Sequence, residues 1–250
     1  EIIHTASLVH DDVVDDAMER RGFFSINALW KNKVAVLVGD FLLAKGLQLS
    51  AEYKDYDFLE LISESTKAMS EGELLQIEKA RRLDIDESVY YEIIEKKTAS
   101  LMASCCAVGA VSVGADEATV KQAAQFGNAL GMGFQIQDDL LDYQAYGQSG
   151  KPSGIDVREQ KMTLPLIYAL RRADSAQKKE LMRIVRRKSN DPEHIRTLMT
   201  EVARLGGLEY AMLRRDAYLD SARRILAEFP AGEARSSLEL LVDFVGQRAK

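Results

Sequence analysis

The aliphatic residues of this chain recur at spacings of three and four, as in residues 108–113 and 164–170, and that period decides what it can fold into. Side chains three and four apart share one face of an α-helix, whereas a half-buried strand needs strict alternation. Alternating segments bounded by turn dipeptides are scarce. Only 4 Pro interrupt the 250 residues, and a 46% hydrophobic content is enough for a sizeable core. The expectation is an all-α bundle forming one domain over residues 1–250.

Helices are expected over about residues 1–17, 26–50, 57–82, 87–114 and 116–143, with 34–43 as the buried part of the second. A loop follows at 146–156, where Gly147, Gly150, Pro152 and Gly154 cluster. Another helix starts at Thr163 and Pro165 and runs to Arg172, since Pro is tolerated in a first turn. Later helices are expected to begin near 191–192, 206–207 and 230–232. Residue 1 falls inside a helical pattern, so the first helices of the natural chain are expected to precede it.

The net charge of −6 provides no basic field for nucleic acid. Cys105 and Cys106 are adjacent within an apolar run and lack zinc-site spacing, so they are expected to be buried thiols in a reducing, cytoplasmic setting. No uninterrupted apolar stretch approaches about 18 residues, and no basic-then-apolar leader opens the chain, so no transmembrane segment is expected.

Against this background stand two short acidic words. Asp11-Asp12-Val13-Val14-Asp15 and Asp138-Asp139-Leu140-Leu141-Asp142 each place carboxylates at i and i+4, one turn apart on one helix face. Like charges that close repel unless a cation lies between them. Mg²⁺ suits such a face, because it takes oxygen ligands and usually binds through one or two carboxylates plus substrate phosphates. A single acidic cluster is also compatible with a solvated surface. The neighbours add cations: Arg20 and Arg21 after the first word, Lys97 beside Thr98 between the words, and Lys151 and Lys161 beyond the second, which Gln135 precedes. Guanidinium forks bind phosphate oxygens in pairs.

The segments HTASLVHDDVVDDAMERRG, EKKTASLM, GMGFQIQDDLLDY and GKPSGIDVREQKMTLPL resemble the trans-isoprenyl diphosphate synthases, or polyprenyl synthetases, long-chain type such as octaprenyl diphosphate synthase. The resemblance runs from residue 1 to about 170, with the motifs in family order. It implies an isoprenoid synthase helical bundle around a deep central cavity, usually a homodimer, with the aspartate motifs facing each other. It implies that Asp11, Asp12 and Asp15 hold two Mg²⁺ ions and that Asp138, supported by Asp139 and Asp142, holds a third, about three per site. Arg20, Lys97, Lys151 and Lys161 would assist at the diphosphate of an allylic primer such as farnesyl diphosphate, and Arg21 would serve isopentenyl diphosphate. Lys97, Thr98 and Gln135 would be the catalytic residues, the last two placing oxygen dipoles near the allylic carbon.

In that family bulky residues four and five positions before the first motif stop chain growth. Here those positions are Ser7 and Ala6, both small. A long product is therefore expected, on the order of C30 to C50, since side chains one turn apart share a face. Closure by a bulkier residue from another helix, Leu37 or Phe41, is the alternative. The family's upstream residues for isopentenyl diphosphate have no counterpart in these 250 residues, which raises the question of whether they turn over alone.

Three rivals remain open. A noncatalytic partner subunit of a heteromeric synthase would share the fold, although such subunits commonly lose motif aspartates. A type I terpene cyclase shares DDxxD but mixes Asn, Ser or Thr with Glu in its second motif. Glu1 and His4 spell E-x-x-H, yet a di-iron bundle wants two such motifs and no second occurs.

Overall fold

The structure, a computed structural model, describes residues 1–20, 22–82, 85–144, 154–187 and 191–248. Helices dominate among them, as the aliphatic spacing requires. The chain divides into two compact units, Glu1–Glu60 and Leu61–Lys250.

In the first unit, helix α1 (Ile2–Val14) is followed by two short antiparallel strands, β1 (Glu19–Arg20) and β2 (Phe23–Phe24), and then by α2 (Ile26–Glu52). Glu19 pairs with Phe24 and Arg20 with Phe23. Gly22, at φ 82°, supplies the left-handed residue of the reversal. The expected helix through residue 17 therefore stops at Val14, and Asp15 caps it. Ile3, Ala6, Val9 and Asp12 form the buried stripe of α1, at steps of three. Helix α1 meets α2 closely, because a Cβ on Gly39 would lie 2.2 Å from His10 Nε2 and one on Gly46 would lie 2.7 Å from Ile3 Cγ1. The Ser25 hydroxyl caps α2 by accepting from Ala28 N at 3.0 Å. The helix then breaks at Lys31, where φ is 66°.

Residues 34–43 are not the buried part of α2. Ala35 and Gly39 are buried, but Leu37 is 67% exposed and Phe41 68%. One slim helix, α1, covers one side of α2 and leaves the rest uncovered. By length and composition α2 also passes as a membrane-spanning candidate, with a mean hydropathy of 1.5 over a stretch only 17% buried. Sequence inspection missed this because isolated charges such as Asp40 and Lys45 break the run without lowering its average much.

Helix α3 (Tyr56–Arg82) crosses the division between the units. The second unit continues with α4 (Glu87–Ile94), a π-turn at Glu95–Ala99, α5 (Ser100–Val111), α6 (Glu117–Gln144) and α7 (Ile155–Arg158). It closes with α8 (Leu164–Arg172), α9 (Ser175–Arg187), α10 (Pro192–Arg204), α11 (Gly207–Ala227) and α12 (Glu233–Gln247). The expected helix over 87–114 is thus present but carries a widened turn in its middle. Helix α9 was not foreseen, because its apolar stripe of Leu181, Ile184 and Val185 is outnumbered by charge.

Helix α6 is the axis of this unit. Ile136 and Leu140 join Leu164, Leu166, Ile184, Ile195 and Leu198 in one apolar cluster. Phe126 and Leu130 join Leu219, Leu226, Val242 and Val245 in another. A helix buried on several sides holds its side chains in fixed places, which suits α6 to carry a site. The thiols depart from expectation: Cys105 is exposed and Cys106 only partly buried, because α5 turns one flank outward. Burial still pushes the Cys106 thiol up to about 11.

Candidate active site

The first acidic word lies at the end of α1, and its carboxylates do not share one environment. Asp12 belongs to the buried stripe and is 5% exposed, whereas Asp15, the capping residue, is exposed. Asp11, half-buried, shares the Asp15 face by its i, i+4 spacing. The paired strands fold the chain back so that Arg20 Nε donates to Asp12 Oδ1 at 2.7 Å. Two hydrogen bonds fix that return, Ser25 N to Met18 O at 3.0 Å and Ser25 Oγ to Ala17 O at 2.6 Å. Asp12 and Arg20 therefore satisfy each other. Ala6 is 2% exposed on the same helix, and the Ser7 hydroxyl donates to His4 O at 2.8 Å.

The second acidic word lies on α6, and each of its aspartates has a separate partner. Asp138 is exposed and lies 3.4 Å from Arg248, whose guanidinium also stands over the Phe134 ring. Gln137 holds that arginine's backbone by donating to Arg248 O at 2.8 Å. Asp139 is buried and accepts from Tyr90 Oη at 2.7 Å and Gln135 Nε2 at 3.0 Å. Asp142 is buried and accepts from the backbone N–H groups of Ile155 and Asp156 at 3.1 and 3.2 Å, fastening the start of α7.

The electrostatics of this cluster are strained. Burial pushes Asp139 up to about 7, against the lowering effect of its bonds to Tyr90 and Gln135. Burial, then the charges of Asp139 and Asp142, pushes Asp156 up to about 8. Lys161 opposes both shifts and lies 2.5 Å from Glu159 and 4.0 Å from Asp156. An all-oxygen donor set whose carboxylates repel one another is suited to a hard dication. No three acidic, His or Cys side chains among the described residues converge into a closed metal cage. Mg²⁺ does not require one, because it commonly takes one or two carboxylates and leaves its other positions to water and phosphate.

Lys97 and Thr98 sit in the π-turn, a feature frequent at functional sites. Lys97 pairs with Glu73 of α3. Helix α3 comes this close at Gly72, where an added Cβ would lie 2.9 Å from Lys97 N. Thr98 Oγ1 donates to Gln135 Oε1 at 2.8 Å, which joins the Lys-Thr pair to the second acidic word. Arg21 and Lys151 lie outside the described residues.

Sequence reasoning missed Tyr90, Glu73 and Asp156. Asp156 adjoins the glycine-rich segment and carries the only local signal of the three. Tyr90 and Glu73 read as ordinary helix residues until their partners, 49 and 24 positions away, are brought to them.

The described residues form a predominantly helical chain with an aspartate word on one helix of each unit and a Lys-Thr pair joined through Gln135 to the second. This chain belongs to the polyprenyl synthetase family, whose sequence model, described as "Polyprenyl synthetase", matches residues 1–202. It is 37% identical over 99% of its length to heptaprenyl diphosphate synthase component 2 of Geobacillus stearothermophilus, covering 77% of that protein. It is 34% identical, over 99% of this chain and 77% of the other, to a short chain isoprenyl diphosphate synthase of Methanothermobacter thermautotrophicus. The crystal structure of a decaprenyl diphosphate synthase from Rhodobacter capsulatus superposes with a TM-score of 0.94 at 38% identity, over all of this chain and 77% of the other.

Proposed function

We propose that this chain is a trans-prenyltransferase that condenses isopentenyl diphosphate with an allylic diphosphate, such as farnesyl diphosphate, into a long-chain polyprenyl diphosphate of about C30 to C50. The observation that carries the reading is the buried carboxylate cluster of α6 and α7, bonded through Gln135 to Thr98 and opposed by Lys161. Cyclase and di-iron readings give way to the family match.

Ionising an allylic C–O bond requires stabilising the departing diphosphate. Mg²⁺, when held by Asp11, Asp12 and Asp15 of the first motif and, separately, by Asp138, Asp139 and Asp142 of the second, would supply Lewis-acid stabilisation of that leaving group. Lys97, Lys161, Arg20 and Lys151 add positive charge at the primer's diphosphate, and Arg21 acts on isopentenyl diphosphate. For Lys97 and Arg20 this means exchanging Glu73 and Asp12 for phosphate oxygens. Thr98 and Gln135 present oxygen dipoles toward the carbon that becomes cationic. A site that excludes water would hold the isopentenyl double bond beside that cation, and the new C–C bond forms between them. The released diphosphate then takes the proton lost from the adjoining carbon, which restores a double bond.

Relatives of similar identity differ in the product length their names state, so overall similarity does not set it. Ala6 does: it is small and buried on the helix that carries the first motif. Leu37 and Phe41, the alternative stops, are exposed.

A homodimer fits the exposed apolar side of α2, as does a cytoplasmic location for the exposed Cys105 thiol. A partner of different sequence is a second reading, favoured by the word "component" in the name of one relative.

The test is to incubate the enzyme with Mg²⁺, labelled isopentenyl diphosphate and farnesyl diphosphate, and to size the dephosphorylated products. A ladder reaching C30 or beyond is expected, with elongation falling at least about a hundredfold in Asp138→Ala. Cyclic hydrocarbon alone, or full activity in Asp138→Ala, would sink the reading. Activity that appears only on adding a second polypeptide would select the heteromer.

A further inference from the structure

Tyr90 is 4% exposed on α4, in the turn that precedes the π-turn, and its hydroxyl donates to Asp139 Oδ2 at 2.7 Å. The other oxygen of that carboxylate accepts from Gln135 Nε2 at 3.0 Å, and Gln135 Oε1 accepts from Thr98 Oγ1 at 2.8 Å. Four side chains thus form one unbroken series, Tyr90, Asp139, Gln135 and Thr98. Its two ends lie on a single helical run, α4 and the π-turn, and its middle lies on α6 at i and i+4.

The geometry depends on the widened turn. Eight residues along a regular α-helix leave two side chains about 80° apart in azimuth. A π-turn holds more residues per turn and so rotates less per residue, which brings Thr98 back toward the side of α4 that Tyr90 presents to α6. The two ends of the run then reach one face of α6, Tyr90 at Asp139 and Thr98 at Gln135.

The series also has a direction. The two Asp139 oxygens accept from the Tyr90 hydroxyl and from the Gln135 amide nitrogen, so the amide oxygen is left for Thr98. If Asp139 turned, nothing else in the series would keep that amide from rotating. The tyrosine hydroxyl holds Asp139 from the side opposite Gln135.

We infer that Tyr90 is a positioning residue for prenyl transfer, which fixes the orientation of the Gln135 amide through Asp139 and so aims the Thr98 and Gln135 dipoles at the reacting carbon. The inference rests on the proposed function and deepens it, because Tyr90 acts only through Asp139. Removing its hydroxyl should therefore slow turnover; any change in affinity should fall on the allylic diphosphate, whose metal Asp139 is proposed to help hold, and not on isopentenyl diphosphate.

The experiment measures kcat and both KM values for Tyr90→Phe, Thr98→Val, Gln135→Ala and the double variant Tyr90→Phe/Thr98→Val, each corrected for the folded fraction from a thermal melt. Tyr90→Phe keeps the ring and should lower kcat by about tenfold or more, the scale of one hydrogen bond to a charged group, with the KM for isopentenyl diphosphate within about twofold of wild type. The double variant should be no slower than its slower parent by more than about twofold, because both changes disable one unit. Wild-type turnover in Tyr90→Phe, a loss explained by unfolding, or multiplicative losses in the double variant would overturn the inference while leaving the site intact, provided that Thr98→Val and Gln135→Ala are slow. Wild-type turnover in both Thr98→Val and Gln135→Ala would instead remove the underlying site, and the inference with it.

Discussion

Ala6 is the smallest side chain in the buried stripe of α1, and it lies five positions before Asp11. Helical side chains lean toward the N-terminus and cover the preceding turn, so a ring at this position would project away from the acidic word, the direction in which the proposed function has the prenyl chain grow. Ala6→Phe is expected to shorten the product by one or more isoprene units, read from chromatography of the dephosphorylated alcohols. Overpacking should cost about 1–3 kcal/mol of stability as well, so the melt should fall together with product length. An unchanged ladder would show that the chain stops elsewhere. At this scale the sequence is informative where spelling is local: the aspartates, Lys161 and the Lys-Thr pair can be singled out from the chain alone. What it could not display is how partners divide the roles. Asp12 and Asp139 have the same spelling as Asp11 and Asp138, yet burial sends one to Arg20 and the other to Tyr90.

Gly127, Gly131, Gln135 and Asp139 follow one another at four-residue steps along α6, so one face carries two glycines and then two polar side chains. The glycines set the separation at which the polar pair works. A Cβ on Gly131 would lie 2.6 Å from Ala99 Cα and 3.0 Å from Ala99 Cβ, and one on Gly127 would lie 2.4 Å from Met102 O. These are contacts with backbone and with a short side chain, and neither can swing aside. Gly131→Ala is therefore expected to force α6 away from the π-turn. That should cost about 1–3 kcal/mol in a denaturant melt and lower kcat, since the Thr98 to Gln135 bond lies one turn further along. A stable variant with normal turnover would show that this spacing is not needed. Helix positions here were readable from apolar period, Pro and capping residues, as at Pro165 and Asp191. The π-turn was not, because it comes from packing between α3, α6 and the Lys-Thr segment and leaves no mark in hydrophobic period.

The second unit buries its apolar residues in two clusters, while the first leaves Leu29, Trp30, Leu37 and Phe41 exposed on α2. Apolar period shows which residues want burial but not what will cover them, which is why residues 34–43 read equally well as core and as interface. Exposed aliphatic and aromatic side chains of this size, gathered on one helix, belong to a surface that meets something apolar. A second protein surface accounts for α2 better than a bilayer does. Asp40 and Lys45 lie within its most apolar half, and Lys31 breaks the helix, whereas a spanning segment must satisfy every backbone group along its length. For the proposed homodimer, Leu37→Glu combined with Phe41→Glu should therefore give a monomer in light scattering on a sizing column. Buried, unpaired charges at an interface cost several kcal/mol, more than a modest dimer can absorb. The α1 contacts of α2 run through Gly39 and Gly46, so the helical circular dichroism of the double variant should stay near wild type. A variant that remains dimeric would move the interface off α2, and one that stays dimeric but loses association with membranes would give that face to lipid.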